Sequence, residues 1–436
     1  MAPSGNPYAS LAYPNFRRYV LAVVAMTLAT MIQGTIVGWQ IYELTHDPLA
    51  LGIIGLAEAL PFIGASLFAG HVTDRRDRRR VALVALCVVG MTAVSLLVLP
   101  ALLSNRPDAL VRSIFVVIIV SGLARSFLQP ARQALGAEVV PRELFANSVT
   151  WRSGAWQLAA VIGPALGGAL YAFGGLSLAY GVDALLVGVG VIALLRIDRV
   201  SPVLPPIAGT VAQSLVAGLR FVFSEKVVLG ALSLDMFSVL FGGAVALLPV
   251  FAADVFHVGA SGLGLLRSAP AIGAVVTSAV LTHSKPFRHT GQVLFRAVAL
   301  YGVAMIAFGL STNFAVAVCA LVVSGAADMV SVFIRSTLLT TRTPPEMLGR
   351  VMSVNGIFVG SSNEIGAFES GVTAAWFGAV PSVVLGGAMT LVVVGATAWR
   401  NPTLRALGAM DPTLDEALVL RPREAGLAPP PPPPPR

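Results

Sequence analysis

Twelve long apolar runs, each near the ~20 residues that carry a helix across a bilayer, dominate this 436-residue chain. They lie near 18–42, 49–70, 81–103, 110–131, 148–173 and 177–196, then 227–254, 259–282, 291–311, 313–339, 349–376 and 379–399. Only 11% of residues are charged, against about 25% in soluble domains. Together these exclude an ordinary soluble enzyme, a disordered chain and a secreted disulfide scaffold. The runs do not alternate, so a porin-type barrel is excluded as well. The first run follows Arg17-Arg18 and exceeds a signal-peptide core, so it reads as a first anchor. Cys87 and Cys319 sit inside apolar runs and read as packing residues, not as a disulfide.

The longest central break holds Pro202, Pro205 and Pro206, then an amphipathic stretch, Val211 to Phe223, that reads as a short interfacial helix. The expected organisation is an N-terminal segment (1–17), a six-helix bundle (18–196), a linker (197–226), a second six-helix bundle (227–400) and a disordered Pro-rich tail (401–436) ending in Pro429 to Pro435. Charge orients the spans. With the N-terminus inside, the outer loops hold only Arg106 and Arg112 of the 29 Lys and Arg, and Arg267 falls within a span. The other 26 lie at the inner face or in the tails, so both termini are expected in the cytoplasm. The net charge of +8 is thus a record of topology, and no nucleic-acid partner is implied.

An internal repeat appears at an offset of 203 residues. Ser121, Gly122, Ala124, Arg132, Leu135, Pro141 and Glu143 match Ser324, Gly325, Ala327, Arg335, Leu338, Pro344 and Glu346. Gly163 and Gly168 likewise match Gly366 and Gly371. The offset aligns the fourth run with the tenth and the fifth with the eleventh. Because six is even, the two copies run parallel, related by an axis along the membrane normal.

The loop after the second run reads Gly70-His71-Val72-Thr73-Asp74-Arg75-Arg76-Asp77-Arg78-Arg79-Arg80. Gly70, Asp74, Arg75, Arg78, Arg79 and Arg80 resemble the loop between spans 2 and 3 of the major facilitator superfamily, with Asp77 where that family usually has Gly. The fifth run carries Gly163-Pro164-Ala165-Leu166-Gly167-Gly168. Pro bends a membrane helix and Gly admits close helix contact. The same pattern is frequent in proton-coupled exporters of that superfamily. Gln129-Pro130-Ala131-Arg132, Val140-Pro141-Arg142-Glu143-Leu144 and Gly349-Arg350-Val351 resemble its enterobactin (siderophore) exporter branch. The resemblance spans about residues 15–400. It implies an all-α polytopic membrane protein, twelve transmembrane helices in two parallel six-helix repeats of the major facilitator fold. It also implies a cytoplasmic gate in which Gly70, Asp74, Arg75 and Arg78 act with Arg132, while Gly163, Pro164, Gly167 and Gly168 shape the fifth span. The second half has a basic loop, His283 to His289, without the matching Asp, so the lock is one-sided. The span-4 arginine motif of many drug antiporters is absent; Arg125 is the nearest basic residue.

Charges inside spans are costly and mark pairing or function. Glu58, Asp183, Asp235, Asp328, Glu364 and Glu369 stand out, with Arg125, Arg152 and Arg267 as available partners. Glu58 and Asp235 lie roughly 12–14 Å into their runs at ~1.5 Å per residue. Asn355, Ser362 and Glu369 repeat every seven residues and share a helix face that suits a wet wall. Gln33 and Gln40 form a similar pair on the first run. The proton and substrate candidates are therefore Glu58, Asp235, Asp328, Glu364, Glu369, Gln33, Gln40 and Asn355.

The five histidines lie at run ends or loops with no metal-ligand spacing, and no Walker loop or Gly-x-Ser-x-Gly occurs. The reading is a secondary transporter, not an enzyme, without cofactor or metal. Its expected partners are protons, the lipid bilayer and a small amphiphilic substrate such as a siderophore or drug. It is expected to act as a monomer in a bacterial inner membrane, exporting by alternating access. An importer or lysophospholipid flippase of the same fold, or a non-transporting receptor or scaffold, is the alternative.

Overall fold

The computed structural model describes residues 6–198, 211–284 and 287–408, with only the backbone of Leu67, Asp74 and 211–215. Residues 199–210 of the expected 197–226 linker, residues 285–286 of the second basic loop and the proline run lie outside them. The described residues are almost wholly helical. The long helices are α1 (Pro14–Thr45), α2 (Pro48–Arg75), α3 (Arg78–Leu102), α4 (Pro107–Glu138) and α5 (Phe145–Leu195). After α6 (Val211–Ser224) come α7 (Lys226–Phe241), the short α8 (Leu248–Val250), α9 (Gly259–His283), α10 (Thr290–Leu310), α11 (Phe314–Arg342), α12 (Pro345–Phe377), α13 (Ala379–Arg400) and the turn α14 (Pro402–Arg405). Several start by the same device, a Pro in the first turn where its missing N–H has no partner to lose. Asp47 and Asp77 cap α2 and α3, their carboxylates accepting from the N–H groups of Leu49 and Arg80.

Ten helices are long and apolar enough to cross a membrane. One of the ten contains both arms of α5, whose 51 residues bend where Gly175 takes φ +65°. A residue with a side chain resists that conformation, so a single glycine replaces the loop expected between two runs. α12 falls outside the ten because it carries Asn355, Asn363, Glu364 and Glu369. Counting the α5 arms separately and adding α12 yields twelve rods among the described residues. The seventh run is also interrupted. α7 stops at Gly242-Gly243, and a 3-10 turn, α8 and a π-helical turn (Phe251–Val255) complete it. The π turn shows in the bond from Phe256 N to Phe251 O, 2.8 Å.

The apolar cores describe how the halves meet. One cluster holds Phe16, Tyr19, Ala82, Leu86, Leu135 and Leu194, all at the end of the first half that carries the N-terminus. A second, with Val227, Leu234, Leu294, Leu338 and Leu404, occupies the same end of the second half. At the opposite end a single cluster spans both halves, joining Ile36 and Ile41 to Leu247, Phe251, Leu266 and Phe308. We call these the terminal face and the far face. The halves share a core at the far face and keep separate cores at the terminal face.

Two expectations change here. The stretch from 401 was expected to be disordered, but α14 is helical and Leu404 is fully buried, its side chain beside Gly230 of α7 and its backbone against Gly291 of α10. A buried leucine stabilises by roughly 1.5–3 kcal/mol, enough to hold one turn. Cys87 and Cys319 are free and exposed on the outer surface of their helices, not packed inside.

Candidate functional site

Between the halves lies a cavity of about 340 Å³. α1, α2 and α4 supply one wall through Gln33, Glu58, Ser121 and Arg125. The other wall comes from α9 through Arg267, α10 through Tyr301, α12 through Asn363 and Glu364, and the broken end of α7. Val37, Leu51, Ile54, Val117 and Pro249 fill the spaces between these polar groups. A mostly apolar hollow with a few convergent polar groups is the usual form of a small-molecule site.

The first wall is a connected polar network. Arg125 pairs with Glu58, and its Nη2 donates to Gln33 Oε1 at 2.7 Å. Gln33 Nε2 lies 3.5 Å from Asp183 Oδ2 on the second arm of α5. Four helices are thereby tied together across a buried surface, and Asp183 is only 1% exposed. On the opposite wall Glu364 has no cation within the 4.0 Å of an ion pair among the described residues. Glu58 and Arg125 reach it only through space. Arg267 is likewise without a carboxylate at that distance; its nearest partner is Thr35 Oγ1, 3.5 Å from Nη1.

The far face is sealed by two close glycine crossings between the halves. On α2 and α12, a Cβ at Gly371 would lie 2.8 Å from Gly52 Cα and 3.1 Å from Pro48 O. On α5 and α9, a Cβ at Gly168 would lie 3.1 Å from Gly264 Cα and would strike Ala260 O. Gly168 and Gly371 are the two copies of one repeat position, so the seals are pseudo-symmetric. Beside the second seal, next to Pro164, the N–H of Ala165 crosses to Ser268 Oγ of α9 at 3.1 Å. Gly163 and Gly167 face α1 instead, against Met31 and Ile32. A third link joins the Tyr42 hydroxyl of α1 to the Asp254 carboxylate on the π turn. Toward the terminal face the same helices part. Added Cβ atoms at Gly64 and Gly70 of α2, Gly154 of α5 and Gly349, Gly356 and Gly360 of α12 would meet nothing within 4 Å.

The remaining candidates fall outside the cavity lining. Asp235 is paired with Arg335 inside the second half, their side chains 7% and 6% exposed. Asp328 sits within that half near Tyr301. Gln40 is buried and accepts from the Tyr180 hydroxyl at 2.7 Å. The expected wet stripe of Asn355, Ser362 and Glu369 is corrected: Ser362 is 2% exposed and donates to Val359 O, while Asn363, Glu364 and Ala367 face the hollow. Sequence spacing identifies residues that share a face but not the rotation of the helix about its axis. At the terminal face, Arg75 is exposed and Arg78 pairs with Glu138 of α4. The Arg132 carbonyl accepts from the Tyr19 hydroxyl at 3.0 Å, and the Asp74 side chain lies outside the described residues. Arg125 is the residue that sequence reasoning undervalued. The 203-residue offset maps it onto Asp328, so the two repeats carry opposite charges at one equivalent position.

The family model described as transmembrane secretion effector matches residues 5–419. This chain belongs to that family of the major facilitator superfamily. It is similar to the enterobactin exporter EntS of Shigella flexneri, 28% identical over 403 residues covering 89% of this chain and 94% of that one. The enterobactin exporter EntS of Citrobacter koseri is 29% identical over 392 residues, with 88% and 90% covered. Among solved structures, a bacterial homolog of the human lysosomal transporter Spinster, inward-facing and unoccupied, superposes with a TM-score of 0.70. It shares 14% identity, with 92% of this chain and 98% of that one covered. A D-xylose-proton symporter gives a TM-score of 0.69 at 13% identity, covering 90% and 97%. The protein is therefore a multi-pass membrane transporter of the major facilitator type, not an enzyme.

Proposed function

We propose that this transporter exports small amphiphilic organic molecules, siderophores or drugs, in exchange for protons. In this reading two six-helix bundles, 18–196 and 227–400, rock about the central cavity, with both termini in the cytoplasm of a bacterial inner membrane and the carrier working as a monomer. One observation carries it. A cavity walled by both halves is sealed at the far face by paired glycine crossings, while the cores separate at the terminal face. That is the shape of a carrier waiting for cargo from the side where its termini lie. The basic residues gathered on that side support calling it the cytoplasm. The names of the relatives support export and a siderophore-like cargo.

The proton site in this reading is Glu364. It lines the cavity, lacks an ion-pair partner among the described residues and sits about two turns along α12 from Gly371 of the α2–α12 seal, with its carboxylate against Gly55. Protonation there removes a desolvated charge from the wall that must slide when the far face opens, biasing the equilibrium between the two states. Glu58 is held by Arg125 and Asp235 by Arg335, which favours structural roles for both. Gly70, Asp74, Arg75, Arg78 and Arg132 would form the cytoplasmic closure of the outward-open state. Gly163, Pro164, Gly167 and Gly168 would guide the fifth span.

Proteoliposomes with an imposed pH gradient test the proposal. Gradient-driven movement of a siderophore or drug panel, with pH dependence flattened in Glu364→Gln and kept in Asp328→Asn, is the expected result. Movement indifferent to the gradient would overturn proton coupling, and no movement at all would overturn export.

A further inference from the structure

Arg267 is the one cavity cation among the described residues with no carboxylate at ion-pair distance. It leaves α9 of the second half and reaches across the hollow to α1 of the first, where its Nη1 lies 3.6 Å from the Cβ position of Gly34 and 3.5 Å from Thr35 Oγ1. Its Nε is buried and has no hydrogen-bond partner. Arg125 Nε is buried without a partner as well, so what sets Arg267 apart is the missing carboxylate. Arg125 is held by Glu58 and Gln33, and Arg335 by Asp235. The charges facing Arg267 are Glu58 and Arg125 on the first half and Glu364 on α12; Glu58 acts on it through space only. A guanidinium stays protonated and offers five donors in a planar fork that matches a carboxylate edge-on. Leaving such donors unmade in a desolvated wall is costly, so the group is poised for an acceptor arriving from outside the chain.

We infer that Arg267 receives a planar oxyanion, a carboxylate or one of like geometry, at one end of the transported molecule. This rests on the reading of the cavity as the substrate site. The apolar body of the molecule lies along Val37, Leu51, Ile54 and Pro249, and the anionic end points toward α1. The first half contributes no competing cation, because Arg125 is engaged by Glu58. The cavity therefore selects amphiphilic organic anions over neutral or cationic analogues of the same shape.

The test measures selectivity in the purified full-length protein by equilibrium dialysis in neutral detergent. The probes are 1-naphthoate, 1-naphthamide and 1-naphthylmethylammonium, which share a body and differ in charge. Wild type is expected to prefer the naphthoate over the amide by about tenfold or more, the worth of one charge-assisted contact. Arg267→Gln should abolish that preference while keeping amide binding and thermal stability, since it removes a charge with no internal partner. Arg267→Lys should keep part of it, retaining the charge but not the fork. An unchanged preference in Arg267→Gln overturns the inference, as does a lowered Tm with selectivity intact, which would mark a structural pairing. If export of a substrate persists in that case, the function proposed above stands alone. If wild type binds none of the probes and moves no substrate, both fall.

Discussion

The crossing of Gly371 on Gly52 makes a sharp demand on the protein. Replacing Gly371 by alanine would put a methyl 2.8 Å from Gly52 Cα, 3.0 Å from Gly52 N and 3.1 Å from Pro48 O. Carbon atoms rest at about 3.5–4.0 Å, so α2 and α12 must separate by the better part of an ångström. The obstacles are backbone atoms, which cannot swing aside as a flexible side chain would. Overpacking of this kind costs about 1–3 kcal/mol. If the carrier works by the proposed alternating access, the crossing comes apart when the far face opens, so the cost falls on the far-face-closed state. Gly371→Ala should therefore shift the equilibrium toward a far-face-open state by about 5- to 150-fold at ~1.4 kcal/mol per factor of ten. Spin labels at Asn105 and Thr312, both exposed, would report it by distance measurement after Cys87→Ser and Cys319→Ser. These positions sit on far-face loops of opposite halves. A new population at longer distance in Gly371→Ala is expected. Identical distributions in a well-folded variant would refute the view that this crossing seals the carrier.

Other expectations follow from the same structure. Asp235→Asn leaves Arg335 uncompensated in a nearly dry interior and should destabilise by about 3–5 kcal/mol, with much of the loss recovered in Asp235→Asn/Arg335→Met; thermal unfolding decides this, and a double variant no better than the single would refute it. Tyr42→Phe removes the hydroxyl from Asp254 and should weaken far-face closure by about 1 kcal/mol, since Asp254 is exposed; the same spin-label pair should show a smaller shift than Gly371→Ala, and an equal or larger one would contradict the ranking. Ser268→Ala deprives the Ala165 N–H of its acceptor beside Pro164 and should shift the distances in the same direction, whereas Thr92→Ala, within the first half, should not.

Much of this architecture is written in the apolar runs, because a bilayer admits few alternatives to the helix and run length sets element length. The bend at Gly175 and the break at Gly242-Gly243 are harder to read: Gly permits either a loop or a continuous helix, and packing chooses. The site was legible residue by residue and not as a set. Gln33, Glu58 and Glu364 stand out as polar groups in apolar runs, and all three line the cavity. Asp235 stands out equally, yet Arg335 on a neighbouring helix neutralises it, a partnership 100 residues away that depth along one helix cannot reveal. The Asn355, Ser362 and Glu369 stripe failed because Asn363, Glu364 and Ala367, which face the hollow, lie roughly 100–200° around α12 from Ser362. Arg267 was visible as a charge in a span, but its lack of a carboxylate partner is a property of the packed halves.

The most direct measurement of the central claim is sided thiol labelling at the cavity. Asn363→Cys, introduced without Cys87 and Cys319, places one thiol on the exposed cavity-lining face of α12. A membrane-impermeant reagent should label it rapidly in inside-out vesicles and slowly in intact cells, with the slow rate rising when Gly371→Ala is added. Fast labelling from intact cells and none from inside-out vesicles would contradict a carrier that is sealed at the far face and filled from the cytoplasm.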